Sequence, residues 1–277
     1  MNKILDTAEE NEVVEVKTEV GESEAPLMEH LIELRQRLIY SALAIAALFV
    51  VCFFFANPIF NILLGPFERA VGNISEVELI YTAPQEFFFT QLKVALFAAI
   101  FLAFPVIASQ VYMFVAPGLY KKERSAFLPY LIATPVLFVI GASLVYFGVM
   151  PLAMRFFLSL EQQGGGQASI QMLTRVSDYL SLTMTLLLAF GICFQLPVIL
   201  TLLARAELIT ADNLKSWRKY AVVAILTVAA FLTPPEPMTQ IGLAVPVFLL
   251  YELSIFAVRF VERSREKRRA AEDEAAE

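Results

Sequence analysis

His30-Leu-Ile-Glu-Leu-Arg-Gln-Arg-Leu38 stands directly before an uncharged run, residues 38–56, and this junction of an amphipathic turn pair with an apolar stretch sets the architecture. On a helix Glu29, Glu33, Gln36, Arg37 and Tyr40 share one face, and Leu31, Leu34 and Leu38 share the other. The segment is therefore expected to lie on a bilayer surface with Glu33 turned to the aqueous side. Basic residues ordinarily occupy that position at a membrane edge, so an acid held there points to a use for its charge.

The chain has 277 residues, 58% of them hydrophobic, and a mean hydropathy of +0.67, which is too apolar for an ordinary soluble domain. Apolar stretches occupy 38–56, 87–115, 126–154, 179–204, 220–232 and 238–258. About 20 helical residues cross ~30 Å of hydrocarbon, and the runs lack period-two alternation, which excludes a β-barrel. The expectation is an all-α integral membrane protein of six transmembrane helices with both termini cytoplasmic. All but four of the 21 Lys and Arg fall in the segments this topology assigns to the cytosol. The four are Arg69, Arg155 and Arg175 outside and Lys93 within a span. A multi-pass protein of a bacterial inner membrane is the simplest address, since neither a cleavable signal nor an organelle transit pattern is expected at this acid-rich N-terminus.

Three regions follow: an acidic arm, 1–26; a membrane domain, 27–260; and a charged tail, 261–277. The arm and tail carry much of the net charge of −6 and few apolar residues, so both are expected to be disordered. Cys52 and Cys193 fall within spans and read as packing residues. With His30 the single histidine and no cysteine cluster, no metal-ligand spacing exists, and no cofactor is expected. Gly164-Gly165-Gly166 lacks the Lys-Ser/Thr of a phosphate loop, so no ATP-driven engine is visible.

The loops and short spans carry further expectations. Asn57-Pro-Ile-Phe-Asn-Ile-Leu-Leu64 predicts a short interfacial helix ended by Pro66. Thr82 and Gln85 have capping-box spacing at the start of span 2. Segment 151–177 predicts a second cap over the bundle. Spans 5 and 6 have uncharged runs of only 220–235 and 237–251, about 22–24 Å each, so either the bilayer thins beside them or another subunit covers them, unless Glu252 sits near the cytoplasmic interface and extends span 6. Lys93 is expected to snorkel toward carboxylates such as Glu86. Gln195, deep in span 4, needs a buried partner, and Pro197 offers a freed carbonyl a turn earlier. Gln240 raises the same question at the start of span 6. Glu123 lies in a basic loop and pairs conceptually with Glu33, since two acids at one membrane edge can each take one guanidinium of adjacent arginines.

Four blocks in order resemble the TatC family, the multispan receptor subunit of the twin-arginine protein translocase. They are His30-Leu-Ile-Glu-Leu-Arg35, Val115-Ala-Pro-Gly-Leu-Tyr-Lys-Lys-Glu-Arg124, Phe190-Gly-Ile-Cys-Phe-Gln-Leu-Pro197 and Leu232-Thr-Pro-Pro-Glu236, and the resemblance covers about residues 27 to 260. It implies a glove-like six-helix bundle, not an enzyme, that binds twin-arginine signal peptides of folded cargo. It further implies recruitment of TatA-type and TatB-type single-span subunits, self-association in the complex, and transport driven by the protonmotive force. Carried over by residue, Glu33 and Glu123 bind the arginine pair, and Arg35, Phe114 and Tyr120 shape the site. Pro66 supports the extracytoplasmic cap, Tyr146 and Glu236 belong to a deep inserted-signal or assembly surface, and Gln240 lies where partner helices dock. Gln195 departs from the Glu found in many members, and an amide carries no titrating proton. Glu236 replaces a shorter acid. Two other classes compete: a secondary transporter whose polar cavity is lined by Lys93 and Gln195, disfavoured by the lack of an internal repeat, and an intramembrane protease, disfavoured by the depth of His30.

Overall fold

The computed structural model describes the backbone of residues 3–72, 79–115, 128–159, 174–232 and 237–274, with side chains from Met28 onward except 29, 115, 128, 237–239 and 268–273. The chain order is α1 (Lys3–Phe54), α2 (Ala56–Val71), α3 (Pro84–Val115), α4 (Leu128–Leu144), a π-helical turn (Val145–Val149), α5 (Met150–Ser159), α6 (Val176–Cys193), α7 (Leu196–Arg205), α8 (Ala211–Ser216), α9 (Arg218–Leu232) and α10 (Pro237–Glu274). The boundaries drawn from sequence at 26 and 260 fall inside α1 and α10, and helical backbone crosses both.

Among the described residues, five helical stretches are long and apolar enough to cross a membrane: His30–Phe54, Pro84–Phe114, Pro129–Ser159, Val176–Arg205 and Gln240–Lys267. The fifth segment from the sequence, α9, has 15 residues, about 22 Å against ~30 Å of hydrocarbon. The sixth is not short. Ile241, Val245, Leu249, Leu253, Phe256 and Phe260 form one exposed apolar stripe along α10, about 29 Å long, before Arg263 and Lys267 continue it. Glu252, which closes the uncharged run, sits off that stripe and is neutralised sideways by Arg218 on α9, Nη2 to Oε2 2.7 Å.

The membrane-edge turn pair is also corrected. It does not lie along the surface, because Glu33, Arg37 and Ser41 continue the stripe of Ile45, Leu48 and Cys52 that packs α1 on α3. One contact face thus runs from Glu33 to Cys52, and Leu31, Leu34 and Leu38 are left exposed.

Residues 56–71 form a 16-residue amphipathic helix rather than a short one, and buried Pro66 lies inside it. Proline removes the N–H that would bond the Ile62 carbonyl. The Tyr146 hydroxyl, from the π-helical turn, donates to that carbonyl at 2.7 Å instead. Gly65 permits the approach, since a Cβ there would stand 2.6 Å from the hydroxyl oxygen. Tyr179 adds a second donor, to the Leu63 carbonyl at 3.1 Å. Tyr146→Phe is therefore expected to cost about 1 kcal/mol by orphaning Ile62, and markedly less in a Pro66→Ala background, where the restored N–H takes the carbonyl. Thermal unfolding of the four proteins of this cycle in detergent measures the coupling; equal costs in both backgrounds refute it.

The same end of the bundle is closed by features the sequence did not announce. Leu79 and Ile80 pair in parallel with Thr174 and Arg175. Glu86, not Gln85, caps α3: its Oε2 accepts from Thr82 N at 2.8 Å, Thr82 Oγ1 at 2.9 Å and Ala83 N at 3.3 Å, and its Oε1 accepts from Ser177 Oγ. Glu86 is thus occupied by these donors rather than by Lys93, which is exposed on α3.

At the opposite end, α8 packs on α10 through Ala211, Leu214, Tyr251, Ile255 and Val258. The Tyr251 hydroxyl donates to Leu214 O at 2.7 Å, and Glu262 accepts from Ala211 N at 2.9 Å at the start of α8. Thr210 caps the same helix by accepting from Asn213 N. Lys215, bonded to Asp212, holds that carboxyl below the ordinary carboxylate range by its hydrogen bond and its charge.

Candidate functional site

The N-terminal end of the α1 span and the C-terminal end of α3 meet around Glu33. Glu33 is half-buried, and its Oε1 accepts from Arg37 Nη2 at 3.1 Å, one helical turn away. The Arg37 guanidinium then crosses to α3, where Nη1 donates to Gln110 Oε1 at 3.3 Å and lies 3.5 Å from Met113 Sδ. His30 stacks on Phe114, ring centroids 4.2 Å apart and 19° between planes, which fixes the two helix ends against each other. Arg37 holds one oxygen of Glu33, while Oε2 has no partner among the described residues. A carboxylate oriented this way, with one oxygen open, is suited to accept from an incoming cation.

Of the site residues expected from sequence, Glu33 and Phe114 are brought together here, and Arg35 is exposed on α1. Glu123, Tyr120 and Glu236 lie outside the described residues, as does the Gly164–Gly166 run. The sequence did not single out Gln110 or His30 for this site. The Glu33/Arg37 spacing of four was a readable signal, whereas Gln110 becomes visible only when α3 is laid against α1.

Gln195 occupies a second polar position, 7% exposed in the break between α6 and α7. Its Nε2 donates to Thr134 O at 3.1 Å and to Gly191 O at 3.2 Å. The expected partner, the carbonyl freed by Pro197, is not the one used. At the break the Gln195 backbone N turns to Ile192 O, leaving Gly191 O to the side chain. Gln195 Oε1 is buried without a hydrogen-bond partner among the described residues. Thr134 also meets Tyr112, hydroxyl to hydroxyl 2.8 Å, so α3, α4 and the α6–α7 break share one small polar seam. Neither Lys93 nor Gln195 lines either of the two grooves formed by the described residues, so nothing in these grooves supports a solute transporter.

Gln240 Nε2 donates to Leu226 O at 3.2 Å, bracing α10 on α9. Beside it Val223, Leu226, Thr227, Ala230 and Phe231 form an open groove of about 400 Å³, with Phe231 87% exposed. Tyr146 lines a different, almost wholly apolar groove between α2, α3 and α4.

Residues 29–246 match the family model described as "Sec-independent protein translocase protein (TatC)". The chain is 47% identical to the Sec-independent protein translocase protein TatC of Magnetococcus marinus, across 91% of this chain and 90% of that one. It is 39% identical to the protein of the same name from Aquifex aeolicus, across 87% and 98%. A solved structure, "Crystal Structure of Twin Arginine Translocase Receptor- TatC", superposes with a TM-score of 0.74 at 39% identity, covering 84% of this chain and 99% of that one. Together with the helical membrane fold and the Glu33 site, these similarities show that the chain belongs to the TatC family of Sec-independent protein translocase proteins.

Proposed function

We propose that this chain is the receptor of a twin-arginine translocase, binding the paired arginines of signal peptides on folded cargo through Glu33 and Glu123. The observation that carries the reading is Glu33 itself, a half-buried carboxylate oriented by Arg37 with its second oxygen open. The segment bearing Tyr120 and Glu123 leaves α3 just after Phe114, which stacks on His30 three residues before Glu33, so the chain connection favours both acids at one end of the bundle. Arg35, Phe114 and Tyr120 then border the peptide.

In this reading the protein sits in a bacterial inner membrane with α9 as the fifth, short crossing of a glove-like six-helix bundle. Both termini face the cytosol, and the arm 1–26 and tail 261–277 lie outside the membrane domain. The groove on α9 receives the helices of TatA-type and TatB-type subunits, with Gln240 presenting its Oε1 because Nε2 is spent on Leu226 O. Pro66 stiffens the extracytoplasmic cap, Glu236 and Gln195 belong to assembly surfaces, further copies of the chain join the complex, and the protonmotive force drives transport.

Site-specific crosslinking tests the receptor role. A photoreactive residue in place of Glu33 is expected to capture the segment of a signal peptide that flanks its arginine pair. Capture of the peptide's apolar stretch alone, or of no peptide, refutes the assignment.

A further inference from the structure

The topology leaves Arg69 and Arg155 on the side of the membrane where basic residues are scarce, and the receptor reading gives neither a task. Arg69 ends α2 with its guanidinium over the rings of Tyr146 and Phe147, 4.9 and 4.8 Å from the centroids. Arg155, on α5, donates from Nη2 toward Arg69 O at 3.5 Å, so the two cations share one rim. Both are exposed, and neither has a carboxylate partner among the described residues. Glu68, the neighbouring acid, is turned about 100° around α2.

Tyr146 and Phe147 also form the mouth of a groove of about 320 Å³ that continues between α2, α3 and α4 along Ile62, Leu102 and Val139. Phe147 is 65% exposed and Leu102 56%, so the groove opens sideways to the hydrocarbon. Ser143, the polar side chain in its wall besides Tyr146, is bonded to Val139 O. A slot lined by alkyl and aromatic groups with two guanidinium groups at its rim has the polarity of a phospholipid: chain below, phosphate above.

We propose that this groove, at the end of the bundle remote from Glu33, holds one anionic phospholipid, with an acyl chain against Leu102 and Val139 and its phosphate on Arg69 and Arg155. The charge at the rim favours an anionic headgroup over a zwitterionic one, and the lateral opening favours a bilayer lipid over a soluble phosphate. Because the site is far from Glu33, it stands or falls independently of signal-peptide binding.

Native mass spectrometry of the full chain in detergent, titrated with dioleoyl phosphatidylglycerol, dioleoyl phosphatidylcholine and glycerol 3-phosphate, tests this. The expected result is one saturable phosphatidylglycerol adduct, a phosphatidylcholine adduct about twenty-five-fold weaker and none with glycerol 3-phosphate. Arg69→Gln and Arg155→Gln should each erase about five-fold of the preference, and the Lys variants at both positions should retain it. Leu102→Trp, which fills the groove, should weaken both lipids alike. Equal binding of the two lipids to the unmodified chain, a preference that survives both Gln substitutions or is lost in the Lys variants, an unchanged Leu102→Trp protein, or a glycerol 3-phosphate adduct as strong as the lipid's would each overturn the proposal. Displacement of the lipid by a signal peptide or a single-span helix, with no lipid preference of its own, would assign the groove to protein instead.

Discussion

Glu33→Ala is expected to lower the affinity of a twin-arginine signal peptide by about tenfold or more, while barely changing that of a twin-lysine control. A charge-assisted bond between guanidinium and carboxylate contributes roughly 1.5–3 kcal/mol, and tenfold in affinity corresponds to about 1.4 kcal/mol. Lysine lacks the planar fork, so a control peptide that never made the paired contact has little to lose. The structure adds a reason to expect a large effect at this carboxylate. Arg37, itself anchored on Gln110, fixes the orientation of Glu33 before any ligand arrives, so little ordering entropy opposes binding. Fluorescence anisotropy of both labelled peptides against purified protein reads the difference. Equal losses for the two peptides would reduce the role of Glu33 to general attraction, and no loss for either would return it to a surface ion pair with Arg37, worth ~0–1 kcal/mol.

Gly191→Ala is expected to destabilise the bundle by about 1–3 kcal/mol, although alanine is the better helix former by about 1 kcal/mol. A Cβ at position 191 would stand 2.4 to 2.9 Å from three atoms of the Phe138 ring. That ring is 2% exposed and stacked on Phe104 with centroids 3.8 Å apart, so it has no free direction in which to yield. A Cβ at Gly141, across the same seam, would stand 2.7 Å from the Phe190 carbonyl oxygen and 2.8 Å from the Phe194 ring. Between helices in lipid there is no hydrophobic gain to offset a lost close approach, so packing at small residues sets the stability. Combining Gly191→Ala with Phe138→Leu should recover much of the loss, read as the midpoint of thermal unfolding in detergent. A single Gly191→Ala substitution as stable as the parent would show that α4 and α6 can separate freely.

The periodicity and length of the apolar runs made the helices legible, because a membrane leaves few ways to satisfy a backbone. The shortness of α9 was legible as well. What failed was each inference that stopped at one segment. Pro66 was read as a helix end because the chain around it contains no donor for Ile62 O; the donor, Tyr146, is 84 positions away. Whether Glu252 ends span 6 or extends it stayed open in the sequence, because its neutralising partner Arg218 lies on another helix, 34 positions distant. Gln195 was assigned the carbonyl freed by Pro197, since sequence does not tell how a break in a helix redistributes its hydrogen bonds.

The sequence by itself determined that this is a helical membrane protein of the TatC type and where its apolar segments lie. These properties follow from local composition and a fixed helical rise, and they need no knowledge of neighbours. Tertiary structure alone decided which face of α1 presents Glu33, that Arg37 and Gln110 hold it, and that Tyr146 lets α2 run through its proline. It also decided that Arg69 and Arg155 share the rim of an apolar groove. The physical reason is common to all of these: a buried donor, acceptor or charge must find its complement somewhere, and only the packing of distant helices determines which complement is within reach.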